Sequence, residues 1–493
     1  MLYKRHLARP LSLVMAILML FGCLTACGEG DAVQDDTTAS EVTEALTEAE
    51  TVDEVAAAYD ALGEIDWGGD DFVILYFEEN EYSEQEIWID RESGDGDSGD
   101  ILPDAVYERN TLFEDKCNLK LSAVGVTKDE ALMKMTNEVQ AKAGDFQLCS
   151  VCADHTASMG TANLLYNYLD LDIDLDKPWW DKGTASFNLR DHIFFMDGSY
   201  NYSDDNQTWV MLFNKDSFAE IGREEPYDMV TSGKWTLSYF EELIQNFSTD
   251  NGDGIWDEND TYGFVSTPWY STAFFYGSNL RYIELDGEGE PKLCLDGGQL
   301  DKAGDLLSQV QRIYHTNNTT FRAKEYTIAI DVFVEERGLF YGEVAAYVIK
   351  MNKQLDGAFG VLPVPKYDEN QKEYITWVNA WASTLSIPKT VAKTEILGDV
   401  LTAYAILSHQ YVHPKYYDVV LTAKSAKDPQ SIEMLDIVFA NKVYDMAMYF
   451  TQFEMKKLFE NAAEFDQDDY TSKFKSARNQ FHRKKTEIFK KID

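Results

Sequence analysis

Asp71-Phe-Val-Ile-Leu-Tyr-Phe77 is a nearly continuous apolar run. A run of this kind predicts a strand buried on both faces, as in the centre of a parallel sheet. Working outward, an acidic Gly/Ser loop spans 91–100, and a helical pattern runs from Asp104 to Lys116. Leu119 to Val124 alternates apolar and polar residues, which predicts a second strand. From Lys128 to Ala143, Leu132, Met135 and Val139 recur at helical spacing, and Phe146 to Val151 reads as a third strand. The order β-α-β-α-β predicts a parallel, doubly wound sheet, on which ligands sit beyond the carboxyl ends of the strands. Two loops are thereby marked: Glu78-Glu79-Asn80 after the first strand, and Cys152-Ala153-Asp154-His155 after the third.

The chain has 493 residues, 45% of them hydrophobic and 13% aromatic, enough for two large folded bodies and too apolar for wholesale disorder. Acids outnumber bases 86 to 43, giving a net charge of −43 that repels phosphate backbones. Nucleic-acid binding is therefore excluded, and an acidic body favours neutral or cationic cargo.

The N-terminus carries Lys4, Arg5 and Arg9, then an apolar run from Leu11 to Phe21, then Leu24-Thr25-Ala26-Cys27. That run is too short to cross about 30 Å of hydrocarbon, so 1–26 reads as an export signal. Leu24 to Cys27 resembles a bacterial lipobox, which implies a palmitate-type lipid anchor on Cys27. Between Gly28 and Asp66 there are 13 acids and no Lys or Arg, so 27–66 is expected to be a disordered, self-repelling tether. No later stretch is long and apolar enough to span a bilayer, which makes the lipid the only expected membrane contact.

Several further segments bear on the body. They are DAVYERNTLFEDKCNLKL from Asp104, AGDFQL from Ala143, Lys177-Pro-Trp-Trp-Asp181, VMLFNKD from Val210 and GKWTLSYFEEL from Gly233. FGVLPVPKYDENQKEYITW from Phe359 and KSAKDPQSIEMLDIVF from Lys424 complete the series. In this order, from Trp67 onward, they resemble the extracellular solute-binding lipoproteins of bacterial ABC importers, the class that includes maltose-binding protein. The resemblance implies a type II, two-lobed α/β fold of periplasmic-binding-protein type, each lobe a sheet flanked by helices. Lobe 1 would comprise 67–197 and 378–425, and lobe 2 would comprise 198–377 and 426–493. Hinge crossings are expected near Asp197 to Asn206, Tyr374 to Val378 and Ala423 to Asp428.

It also implies a monomer on the outer face of the cell membrane (the periplasmic side where there is an outer membrane) that delivers a small solute to permease subunits. Sugar sites combine flat aromatic platforms with side chains that donate and accept in fixed geometry. Glu79 is a candidate from its loop after the first strand, and the resemblance places Asp154, Gln207, Thr208, Trp269, Tyr270, Trp377, Asn379 and Trp381 at the solute. Trp179 and Trp180, beside Pro178, read as structural. Where the maltose-binding pattern has a second-lobe aromatic, Tyr347-Val-Ile-Lys-Met-Asn352 has no Trp, which argues against maltose itself.

Thr249 to Asp260 aligns with an EF-hand loop, with Asn251, Asp253, Asp257 and Asp260 at ligand positions, Gly254 at the turn and the Ile255 carbonyl at position seven. Thr249 replaces the first Asp, so the loop either holds Ca2+ or is an empty acidic turn; no other cofactor is expected. Cys149-x-x-Cys152 reads as small buried side chains or a disulfide in preference to zinc. His409 and His413 read as surface residues. The basic helix from Tyr470 is expected to pack on its own lobe. No GxSxG, HExxH or P-loop pattern is present. A binding protein for carbohydrate import is expected, and a secreted carbohydrate-active enzyme such as a glycoside hydrolase is the alternative.

Overall fold

The computed structural model describes residues 54–78, 86–88, 101–185, 187–355, 357–417, 429–467 and 469–492. The chain divides into Met1–Ala61, in which 54–61 are helical, and a second unit, Leu62–Asp493, that holds all the structure below. Cys27, Glu79, the loop 91–100 and the third expected crossing lie outside the described residues.

The opening of the second unit follows its pattern. Strand β1 (Asp71–Phe77) pairs in parallel with β2 (Lys120–Val126) over its whole length, and with β3 (Leu148–Cys152) from Ile74 to Tyr76. Helix α1 (Ile101–Cys117) connects β1 to β2, with Asp104 in its first turn and Lys116 in its last, each complementing the helix dipole. Helix α2 (Lys128–Ala141) starts at a capping box, in which the Thr127 backbone N–H donates to Glu130 Oε2 at 3.2 Å. It ends where Lys142 turns left-handed at φ 53°. Helix α3 (Ala153–Thr161) begins directly at the carboxyl end of β3.

The first sheet has the order β2-β1-β3-β13-β4, with β4 at Phe195–Met196 and β13 at Ser383–Ser386. One strand departs from the expected all-parallel plan: β13 runs antiparallel to both of its neighbours, β3 and β4. The cause is chain routing. After Met196 the chain leaves to build a second sheet and returns from the far side to lay down β13.

That second sheet has the order β11-β5-β10-β6-β9. Its strands are β5 (Trp209–Asn214), β6 (Tyr262–Ser266), β9 (Thr320–Arg322), β10 (Gly338–Val344) and β11 (Phe359–Leu362). Strand β10 is buried along its whole length, antiparallel to β5 and parallel to β6. A small hairpin, β7 (Ile283–Leu285) with β8 (Pro291–Leu293), lies outside both sheets.

Between the sheets the connecting segments pair with each other. Strand β12 (Thr376–Trp377) runs parallel to β14 (Lys442–Val443), Thr208 bridges Val378, and the Asn379 N–H donates to the Gln207 carbonyl at 2.9 Å. At this junction the Lys442 ammonium is enclosed by Asp204 and Asp205, reaching Asp205 Oδ1 at 2.8 Å. Burial works against that charge, but the two carboxylates hold the ammonium well above its ordinary pKa. Trp179 and Trp180 are buried here too, where the Trp179 carbonyl lies so close to Gly198 that a Cβ would meet it at 2.3 Å.

The C-terminal helix α4 (Tyr470–Ile492) buries Phe474, Phe481 and Ile488. Its Lys485 pairs with Glu290 at 2.8 Å, so the apolar face of this basic helix packs on the protein. No helix among the described residues is long and apolar enough to cross a membrane.

Candidate functional site

A cleft of about 720 Å³ opens between the two sheets. The first sheet's body supplies Lys128, at the start of α2, and Trp381, just before β13. The second supplies Trp269, Tyr326, Glu343 and Tyr347. Gln207, Trp377 and Asn379 come from the connecting segments, so the segments that join the sheets also form part of the cleft wall. Lys456, Lys457 and Glu460 enter from the C-terminal region.

Aromatic rings dominate this wall. Trp377 lies parallel to Trp209, with centroids 6.0 Å apart and 13° between planes, and its centroid is 5.3 Å from that of Tyr276. Trp381 is 45% exposed, an unusual exposure for an indole, with the Lys128 ammonium 4.1 Å from its ring centroid. Flat rings at such a surface offer stacking area for the apolar faces of a sugar.

Of the residues expected at the solute, the structure brings together Gln207, Trp269, Trp377, Asn379 and Trp381. Three others lie elsewhere. Thr208 is buried, its hydroxyl spent on the Asp204 carbonyl at 2.8 Å and its own carbonyl on the Ala345 N–H. Tyr270 is in the core of the second body, with its hydroxyl donating to the Val210 carbonyl at 2.9 Å. Its ring fills the space over Gly342, where a Cβ would come within 2.7 Å of it.

Asp154 is also buried and stands behind the lining. One of its oxygens, Oδ2, receives Lys456 at 3.1 Å and Lys128 at 3.5 Å, while Oδ1 bonds His155 Nδ1 at 2.9 Å. Burial alone would raise its pKa, but His155 and the two ammonium groups outweigh burial and hold the carboxyl well below the usual carboxylate range. It thereby contacts two lysines of the wall.

Sequence reasoning missed Glu343, Tyr326, Tyr347 and the lysines. Glu343 had a signal, being the one acid in the apolar run Gly338 to Val344. Its Oε1 accepts the Val344 N–H at 3.1 Å, and Oε2 has no hydrogen-bond partner among the described residues. Burial pushes its pKa up to about 8. Tyr347 stands in the stretch that lacks a Trp, and supplies an aromatic ring to the wall all the same.

The other marked motifs lie away from the cleft. In the loop from Thr249 to Asp260, Asp260 accepts the N–H groups of Asn251 and Asp257, each at 2.8 Å, and Asp250 accepts those of Gly252 and Gly254. Asp253 and Asp257 accept the N–H groups of Ile255 and Asn259. The carboxylates thus serve the loop's own backbone. No group of three or more metal-ligating His, Cys, Asp or Glu side chains converges among the described residues. Cys149 and Cys152 are free, buried thiols whose pKa burial pushes up to about 12. Contrary to expectation, His409 and His413 are partly buried: His409 Nδ1 bonds Ser199 Oγ at 2.8 Å, and burial pushes His413 down to about 4.

No family model matches the sequence, and no curated protein does either. Solved structures do match in fold. The maltose-binding periplasmic protein of Listeria monocytogenes, in complex with maltose, superposes with a TM-score of 0.56 at 14% identity, covering 84% of this chain and 98% of that one. An ABC substrate-binding protein from the same organism, in complex with cycloalternan, gives 0.55 at 11% identity over 84% and 98%. The maltose/maltodextrin-binding domain of Bdellovibrio bacteriovorus, bound to maltotriose, gives 0.51 at 14% identity over 84% and 100%. The second unit therefore has the two-lobed α/β fold of the maltose- and maltodextrin-binding proteins.

Proposed function

We propose that the protein is an extracytoplasmic receptor that captures a sugar or oligosaccharide in the cleft between its sheets and delivers it, chemically unchanged, to the permease of an ABC importer. The observation that carries this reading is the composition of the cleft: exposed and half-exposed indoles together with the amides of Gln207 and Asn379, set between two sheet bodies. A solute touching both bodies favours the closed arrangement, because closure adds contacts that the open one lacks. Gln207, Trp377 and Asn379 lie on the connecting segments, which supports direct coupling between solute contact and hinge position.

The test is a tryptophan-fluorescence titration with an oligosaccharide panel, since a solute stacked on Trp381 or Trp269 changes the emission. A saturable change for at least one member is expected. A flat response across neutral and charged members contradicts the reading.

We further infer a lipid anchor on Cys27. Buried lipid contributes about 0.8 kcal/mol per CH₂, and two chains hold a protein stably at a bilayer. Cys27→Ala is expected to move the protein from the membrane to the soluble fraction, and its persistence at the membrane would contradict the anchor.

A further inference from the structure

The composition of the whole chain points to neutral or cationic cargo, yet the wall of the cleft has the opposite balance. Three ammonium groups line it. Lys128 and Lys456 both converge on a single oxygen of Asp154, so one carboxylate serves two cations. Lys457 makes no ion pair within 4 Å among the described residues. Two acids, Glu343 and Glu460, stand in the same wall. Burial raises the pKa of both, for Glu460 against the pull of Lys457 and Lys456.

Hydrogen-bond inventory points the same way. Glu343 Oε1 accepts the Val344 N–H and so acts as the carbonyl oxygen; in the neutral acid the proton sits on Oε2, a donor with no acceptor. Trp209 Nε1 and Trp377 Nε1, on two residues of the same wall, are likewise buried donors with no acceptor among the described residues. Buried donors without partners are rare and costly, and the residues of the cleft wall hold three such groups. The distant surface acids matter less, because charges beyond a Debye length of about 8 Å are largely screened at physiological salt.

We propose that the solute is an acidic carbohydrate, one whose sugar ring bears an oxyanion (a carboxylate or a sulfate ester) that the cleft recognises through Lys457 and the Lys128–Lys456 pair. This rests on the reading of the cleft as a carbohydrate receptor. The aromatic rings take the ring faces, the amides of Gln207 and Asn379 take hydroxyls, and the lysines take the charge. Charge-assisted bonds of this kind are about twice as strong as neutral ones.

The test is calorimetric titration of the purified full chain with three matched oligosaccharides that differ only in bearing a hydroxymethyl group, a carboxylate or a sulfate ester. At least one charged member is expected to bind about tenfold more tightly than the neutral one, with the gap narrowing as salt rises. Whichever charged member binds more tightly identifies the oxyanion. Lys457→Gln is expected to cut the charged-over-neutral preference to less than about threefold, and Glu460→Gln to widen it. Binding of the neutral member as tightly as either charged one, or an unchanged preference in folded Lys457→Gln, overturns this inference and leaves the receptor reading standing. Failure of all three members to bind overturns this inference as well, and also counts against the receptor reading.

Discussion

Glu343→Gln is expected to stabilise the protein, and by an amount that depends on pH. Glu343 is 4% exposed and has no cationic partner among the described residues; burial pushes its pKa from the ordinary 4.5 to about 8 on folding. Below about pH 4.5 both the folded and unfolded states hold the proton, and the group contributes nothing. Between about 4.5 and 8 the unfolded chain ionises and the folded one does not, so each pH unit favours unfolding by about 1.4 kcal/mol. Above about 8 both states are ionised and the penalty stops growing. At pH 7 the accumulated cost is about 3 kcal/mol, a large fraction of a typical net stability. Glutamine is neutral in both states, keeps an oxygen to accept the Val344 N–H, and carries none of this cost. Equilibrium urea unfolding across pH 4.5 to 8 should show the glutamine variant gaining on the wild type steadily, from near zero to about 3 kcal/mol by pH 7. Glu86 is buried and shifted to about 8 as well, but it is common to both proteins and cancels in the difference. A constant difference across that range would show that Glu343 is ionised in the folded protein, and the donor assigned to Oε2 would be lost with it.

Trp381→Ala should weaken solute binding by about 1–3 kcal/mol, the range for loss of a stacking platform, as read by calorimetry on protein with an unchanged circular-dichroism spectrum. Lys442→Ala removes the cation between buried Asp204 and Asp205 and should cost about 3–5 kcal/mol of stability in urea unfolding; a loss under about 1 kcal/mol would show that water reaches this junction. Asp260→Ala strands the N–H groups of Asn251 and Asp257 and should destabilise by about 2 kcal/mol or more. Because those oxygens already serve the backbone, wild-type melting curves should coincide in calcium and in chelator. A rise with calcium would mean that the loop rearranges into a cation site.

The opening of the fold was legible because each element there is coded locally. The apolar run from Asp71 and the capping box at Thr127 and Glu130 need no distant partner to be read. The antiparallel return of β13 was not legible, since it depends on where the chain re-enters the sheet after building the second one. In the cleft, Trp269, Trp377 and Trp381 were legible through the resemblance, which assigns their segments to the solute. Thr208 and Tyr270 were picked by the same logic and lie in the core, for one residue along a bridged segment or short helix turns a side chain from the cleft to the interior. Glu343 and the lysines escaped notice for a different reason. In a chain with 86 acids and 43 bases a single charged residue says little until its neighbours in space are known.

The central claim is that the cleft binds a carbohydrate without altering it. The direct measurement is to incubate the protein with an oligosaccharide that binds, determine the stoichiometry by calorimetry, and then recover the carbohydrate and analyse it by mass spectrometry. One solute per chain, recovered intact after prolonged incubation, is the predicted result. Shortened or otherwise altered products from a homogeneous preparation would contradict it and identify the cleft as the active site of a carbohydrate-active enzyme.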